Sequence, residues 1–140
     1  MIGGFIIRGP KLVFIRALGP SLTAASVNPV LADPQIQLFQ NSTLLRQNND
    51  WQSAPNANEM IATTIPPQNA KEAAILIRLE PGSYTTVVSG ADGGTGIALV
   101  EVYELDRDQS DWENKREPSR FGARAFLLPR DAGFALTLRG

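Results

Sequence analysis

Short runs of β-branched and aromatic residues, broken by Gly, Pro, Asn and Asp, fill the first three quarters of the chain. Such runs are the signal of strands in an all-β protein. Residues 2–8 and 11–18 are two of them, separated by Gly9-Pro10 in the manner of a hairpin. Residues 36–39 alternate apolar with polar, Asn41-Ser42 marks a turn, and residues 43–46 return beside them. Residues 73–79 form a further apolar run, closed by Glu80-Pro81-Gly82, where Pro presets the turn and Gly relieves it. The Thr- and Val-rich run 84–89 suits a half-buried pleated surface. Four glycines within residues 90–96 read as a tight loop before the last of these runs, 97–105.

Seven strands at this spacing, with almost no helical periodicity, predict an antiparallel β-sandwich, jelly-roll or Ig-like, of about seven to nine strands. At most one short helix is expected, over residues 57–64, capped by Asn56 or Asn58 and stopped by Ile65-Pro66-Pro67. Residues 106–120 are polar enough for a linker, whereas 123–128 and 134–138 are strand-sized and would form an extra hairpin or complete a sheet edge. The alternative for this tail is sequence foreign to the fold, or the start of a next module.

Charge supports a boundary near Leu105: residues 1–105 hold 14 Asp, Glu, Lys and Arg side chains, and the last 35 residues hold 13. At 140 residues a single core is expected. With no His and no Cys, His relays, Cys nucleophiles, disulfides and the usual zinc sites are excluded. A formal net charge of −1 provides no field toward nucleic acid or anionic lipid, and the apolar runs are too short for a bilayer-spanning helix. No signal-peptide pattern follows Met1.

Trp51 stands in a segment of unusual polarity, since residues 35–58 contain ten Asn and Gln. There its indole would stack on a sugar ring, while Asp50, Asn49 and Gln52 hydrogen-bond hydroxyls. The alternative is a lid over the sandwich, with the indole N–H bonded to a backbone carbonyl. Strand periodicity places Glu101 and Tyr103 on one face, as a polar and aromatic patch for a glycan or as an ordinary surface pair. Tyr84, just after the Pro-Gly turn, is expected in the core or in a corner hydrogen bond. Asn48, Asp50 and Asp92 are oxygen donors of the kind Ca²⁺ takes, although turns use the same residue types. No cofactor is required, and a bound Ca²⁺ would brace a loop. Arg8 and Arg16 interrupt apolar strands; an inward Arg would need Asp33 or Glu101 as partner, and the alternative is that both point outward. Two carboxylates, Glu101 with Asp50 or Glu104, are the best catalytic device on offer. Nothing in their setting marks them as an acid and a base, the serines lack a His, and residues 93–96 lack the Lys of a phosphate loop, so no enzyme is expected.

Six segments in order carry a resemblance. They are Ile2-Gly-Gly-Phe-Ile-Ile, Phe14-Ile-Arg-Ala-Leu-Gly-Pro-Ser-Leu22, Leu31-Ala-Asp-Pro34, Asn48-Asn-Asp-Trp51, Leu79-Glu-Pro-Gly-Ser-Tyr-Thr85 and Gly96-Ile-Ala-Leu-Val-Glu-Val-Tyr-Glu-Leu105. Together they resemble an uncharacterised tandem β-sandwich module of large secreted bacterial proteins, similar in its closing strands to bacterial pre-peptidase C-terminal domains. The match covers about residues 1–105. The resemblance implies a secreted or cell-surface location and no catalytic residues. It also implies a strand before Ile2, so one sheet edge would lack its partner unless residues 123–128 fill the place, within the chain or across a homodimer. Asp111-Trp-Glu-Asn114 is similar to a short motif of some large β-galactosidases, a match too short to carry a function.

The expectation is a non-catalytic carbohydrate-binding module of a secreted polysaccharide-degrading protein, with β-glucan-type chains favoured as partner. The alternatives are a structural or adhesive cell-surface repeat and, last, a small two-carboxylate glycosidase.

Overall fold

Alternating strands and continuously apolar strands fold into different layers. The computed structural model describes residues 2–105 together with 122–124, 126–128 and 137–139. β1 (Ile2–Ile7), β3 (Pro34–Gln40), β4 (Thr43–Asn48) and β6 (Gly82–Gly90) make one antiparallel sheet in the order β1-β6-β3-β4. β2 (Lys11–Leu18), β5 (Ala73–Leu79) and β7 (Ala98–Glu104) make the other, in the order β5-β2-β7. After β8 (Gly122–Arg124), β9 (Phe126–Leu128) pairs with the outer edge of β7, and β10 (Thr137–Arg139) pairs with β8. The protein is an all-β sandwich.

The inner faces meet in one core that includes Phe5 and Ile7 of β1, Val13, Ile15 and Ala17 of β2, Ile36 and Leu38 of β3, and Val100 and Val102 of β7. β6 shows the strict alternation of a sheet with one wet face, since Tyr84, Thr86 and Val88 are buried and their neighbours are not. Tyr84 is a core residue and a corner bond at once. Its ring stacks on Phe5 with centroids 5.7 Å apart, and its hydroxyl donates to the Glu80 carbonyl at 2.6 Å.

The hairpin expected across Gly9-Pro10 does not form. β1 pairs with β6, while β2 enters the opposite sheet between β5 and β7. The two strands have different needs: β1 alternates exposed with buried positions, whereas Val13, Phe14 and Ile15 are consecutively buried and require cover on both faces. Gly9-Pro10 therefore bridges the layers. The β3–β4 hairpin does form, with Asn41 in the left-handed region at φ 55° and a bulge that leaves Leu45 as the extra residue.

One helix, α1 (Ala57–Ala62), and two 3₁₀ segments, Pro20–Ala25 and Trp51–Ser53, complete residues 2–105. Asn56 precedes α1 as expected but makes no side-chain cap. Gly19 and Gly96 pack against the backbone of residues 30 and 31, where an added Cβ would lie 2.0 Å and 2.4 Å from backbone atoms. That close approach lets Leu31 N–H bond the Ile97 carbonyl at 2.8 Å and closes the sandwich end. Asp111-Trp-Glu-Asn114, and most of the 106–120 and 134–138 expectations, lie outside the described residues.

Candidate functional site

The outer face of the β5-β2-β7 sheet is apolar around Phe14, Ala74 and Leu76, and the excursion between β4 and β5 folds back over it. Phe14 and Tyr103 are register partners there, next to Ala74 and Leu76, and Trp51, Met60 and Ile65 pack on them as a second small core. Trp51 is 5% exposed. The expected stacking platform is thus corrected to a lid: its partners, distant in sequence, offer the indole more apolar contact than its amide-rich neighbours do. The N–H bond expected for that lid is also missing, because Trp51 Nε1 is buried without a hydrogen-bond partner. Its backbone N–H donates to the Glu72 carbonyl at 2.9 Å.

Glu72 anchors the far end of the excursion. It is fully buried, and its carboxylate accepts from Gly19 N–H at 2.8 Å, Ser21 N–H at 3.0 Å, Ser21 Oγ at 2.6 Å and Asn69 N–H at 3.1 Å. Four donors replace the hydration that burial removed, so the acid is a tie between the β2 exit and the base of β5. Sequence reasoning missed it, for a Glu beside a Lys before an apolar run looks like a solvated strand start.

Under the same cover lies a polar trio. Arg16 and Glu101 are cross-strand partners joined by an ion pair, and the Tyr103 hydroxyl donates to the other oxygen of Glu101. Arg16 also donates to the Ile65 carbonyl at 2.8 Å, and its guanidinium carbon stands 5.3 Å from the centre of the Tyr103 ring. Burial first, and the Glu101 hydrogen bond second, push the Tyr103 phenol up to about 12. Glu101 and Tyr103 do share a face, as periodicity predicts, but it is covered rather than offered to a glycan. Glu104 points to the opposite face and pairs with Lys11 at 3.7 Å, so the nominated Glu101–Glu104 dyad is not brought together. Arg8 is exposed.

Among the described residues a cleft of about 330 Å³ opens where the β4 and β5 edges and the 53–60 segment meet. Its polar lining is Gln35, Arg46, Gln47, Asn48, Asn49 and Asn56, with Ser53 at the side. Its apolar lining is Ala54, Pro55, Met60, Ala74, Ile75 and Leu76. Two of the amides build the wall: Asn48 Oδ1 accepts from Ala74 N–H at 3.0 Å, and Asn56 Nδ2 donates to the Leu76 carbonyl at 2.8 Å. They blunt the free edge of β5, which would otherwise present bare backbone. Asn49 is different, for its Oδ1 is shielded and has no hydrogen-bond partner. An unpaired buried amide oxygen costs on the order of 1–3 kcal/mol, which a ligand that lets the carboxamide turn and pair recovers.

Of the residues expected to bind ligand, only Asn49 lines this cleft. Asp50 precedes the Trp51–Ser53 turn and uses its carbonyl for Ser53 N–H at 2.9 Å, and Gln52 is exposed and not among the cleft-lining residues. Of the nominated Ca²⁺ donors, Asn48 spends its amide on Ala74 and on the Asp50 carbonyl, and Asp92 Oδ1 accepts from Gly94 N–H at 2.8 Å. Among the described residues no three acidic side chains cluster as metal ligands would. No helix there is long and apolar enough to cross a membrane. The family models, the curated proteins and the solved structures each give no match to this chain.

Proposed function

We propose that this chain is a non-catalytic carbohydrate-binding module that takes a mono- or disaccharide unit of a glycan in the cleft between β4 and β5. The observation that carries the reading is the lining: the side-chain amides of Gln35, Gln47 and Asn49, each with a donor and an acceptor, beside apolar Met60, Ala74, Ile75 and Leu76, suit a ring that bears hydroxyls on its rim and C–H groups on its face. The volume is at the low end for small-molecule sites, roughly 300–1,000 Å³. A chain end or a single side branch fits this better than the long flat groove of an aromatic platform. The setting we propose is a secreted or cell-surface bacterial protein, on the strength of the six-segment resemblance.

A glycan array followed by calorimetry tests it. Retention of at least one glycan class is expected, weakened roughly tenfold or more in the Gln35→Ala/Asn49→Ala variant, equivalent to losing one or two hydrogen bonds. Absence of binding across the array by a folded protein would sink it.

One observation favours a second reading, that of an adhesive or spacing repeat. β1 is the outermost strand of its sheet, and Ile2 and Ile6 are 61% and 65% exposed on it. Sedimentation separates the two: concentration-dependent dimerisation lost in Ile2→Lys/Ile6→Lys would support the second reading.

A further inference from the structure

We infer that the cleft selects sugars that carry a carboxylate, with Arg46 as the group that recognises it. This rests on the carbohydrate reading of the same cleft. The strand register decides where Arg46 stands. It is opposite Leu38 on β3, and Asn48 is opposite Ile36, so both share the face whose other members fill the core. Because β4 is the last strand of its sheet, the cleft reaches around its edge, taking in Arg46 and Asn48 from this face and Gln47 from the other. A charged residue without an ionic partner is tolerated on an inner face at such an edge, where it reaches water.

The charge around it is one-sided. Among the described residues Arg46 is the only ionisable one in the lining, and no carboxylate lines the cleft with it. Neither the Lys11–Glu104 pair nor the Arg16–Glu101 pair involves Arg46. Glu72, the acid beside the base of β5, has its oxygens taken by Gly19, Ser21 and Asn69. Asp50, the next acid along from β4, is not among the cleft-lining residues. An unmatched guanidinium presents a planar fork of donors that fits a carboxylate with two parallel bonds. Asn49, with its unpaired oxygen, asks for a hydroxyl donor instead. A ligand that offers both on one small ring is a uronic acid, whereas a plain carboxylate or a neutral hexose offers only one.

Calorimetry with di- and trigalacturonate, the matching neutral galactose oligomers and a sulfated galactose oligomer tests this on wild type, R46Q and R46K. The uronate is expected to bind at least about tenfold tighter than its neutral counterpart at low salt, as one charge-assisted contact gives. The preference should shrink as ionic strength rises. R46Q should abolish the preference without moving the thermal midpoint, since Arg46 is exposed. R46K should keep only part of it, having the charge without the fork. Equal binding of neutral and acidic sugars, indifferent to R46Q, would overturn the acidic selectivity and leave the carbohydrate reading standing. Tighter binding of the sulfated oligomer would overturn the carboxylate as the recognised group. No binding of any sugar would overturn both.

Discussion

The two sheets of this sandwich treat their outer faces differently. The β1-β6-β3-β4 sheet leaves its outer face in water, with Gln37, Thr85 and Ser89 along it. The β5-β2-β7 sheet hides its own beneath the 49–72 excursion, and there Phe14 is fully buried although it points away from the main core. A strand covered on both sides loses the period of two, so β2 and the start of β5 read as continuous apolar runs. Any ionisable group on such a strand must bring its partner with it, as Arg16 and Glu101 do. One sheet is therefore held by packing on one side, and the other by packing, buried ion pairing and a looped-out lid.

The comparison breaks most sharply at the tie of that lid. Glu72→Ala should cost about 2–6 kcal/mol, because it leaves two backbone N–H groups of the β2 exit, one buried and one half-buried, without an acceptor at about 1–3 kcal/mol each. Urea denaturation measures it, and a loss below about 1 kcal/mol would mean that the excursion is not held there. Trp51→Ala should cost about 3 kcal/mol, typical of an aromatic removed from a packed site, and should expose Tyr103 to solvent quenchers of its fluorescence. Arg16→Met should cost about 3 kcal/mol by leaving Glu101 buried without a counter-charge, and Arg16→Met/Glu101→Leu should recover most of it. If the double variant is no better than the single one, the pair contributes more than mutual compensation.

These residues also mark how far the sequence is legible. All seven strands of residues 2–105 follow from their apolar runs and turn residues, within two residues at each end. The layer of each strand does not, because Gly9-Pro10 can turn a hairpin or cross between sheets with the same residues. The amide-rich segment does line the open cleft, yet Trp51 within it is buried, because what decides burial is contact with Phe14 and Leu76, remote along the chain. Arg46 carries no signal in the sequence, since a charged residue on a strand ordinarily faces water. Only the register with Leu38, and the fact that β4 ends its sheet, turn it toward a cleft.

The covered face should also respond to alkali. The Tyr103 phenol is raised in the folded protein from its ordinary value near 10 to about 12, so the neutral phenol is the form that folding favours. The stabilisation is complete below pH 10 and is lost as the pH rises from about 10 to about 12, amounting to about 2 kcal/mol. An absorbance titration should show the Tyr103 phenolate forming with an apparent pKa near 12, absent in Tyr103→Phe. Ionisation near 10 would place the ring in water and remove the lid from above it.

The smallest effects belong to the wet face, and they are the control that gives the others meaning. Gln37 donates to Gln47 at 3.5 Å, in the open, on neighbouring strands. A hydrogen bond that long between exposed amides competes with water on equal terms and contributes little. Gln37→Ala and Ser89→Ala should therefore each change stability by no more than about 0.5 kcal/mol, the range of surface substitutions that touch no cap, core or ion pair. The difference from Trp51→Ala, several-fold in the same denaturation experiment, is the energetic form of the contrast between the sheets. A loss above about 1 kcal/mol at Gln37 would mean that the first sheet is covered as well, by the chain beyond Leu105 or by a second molecule, and a concentration series would tell those two covers apart.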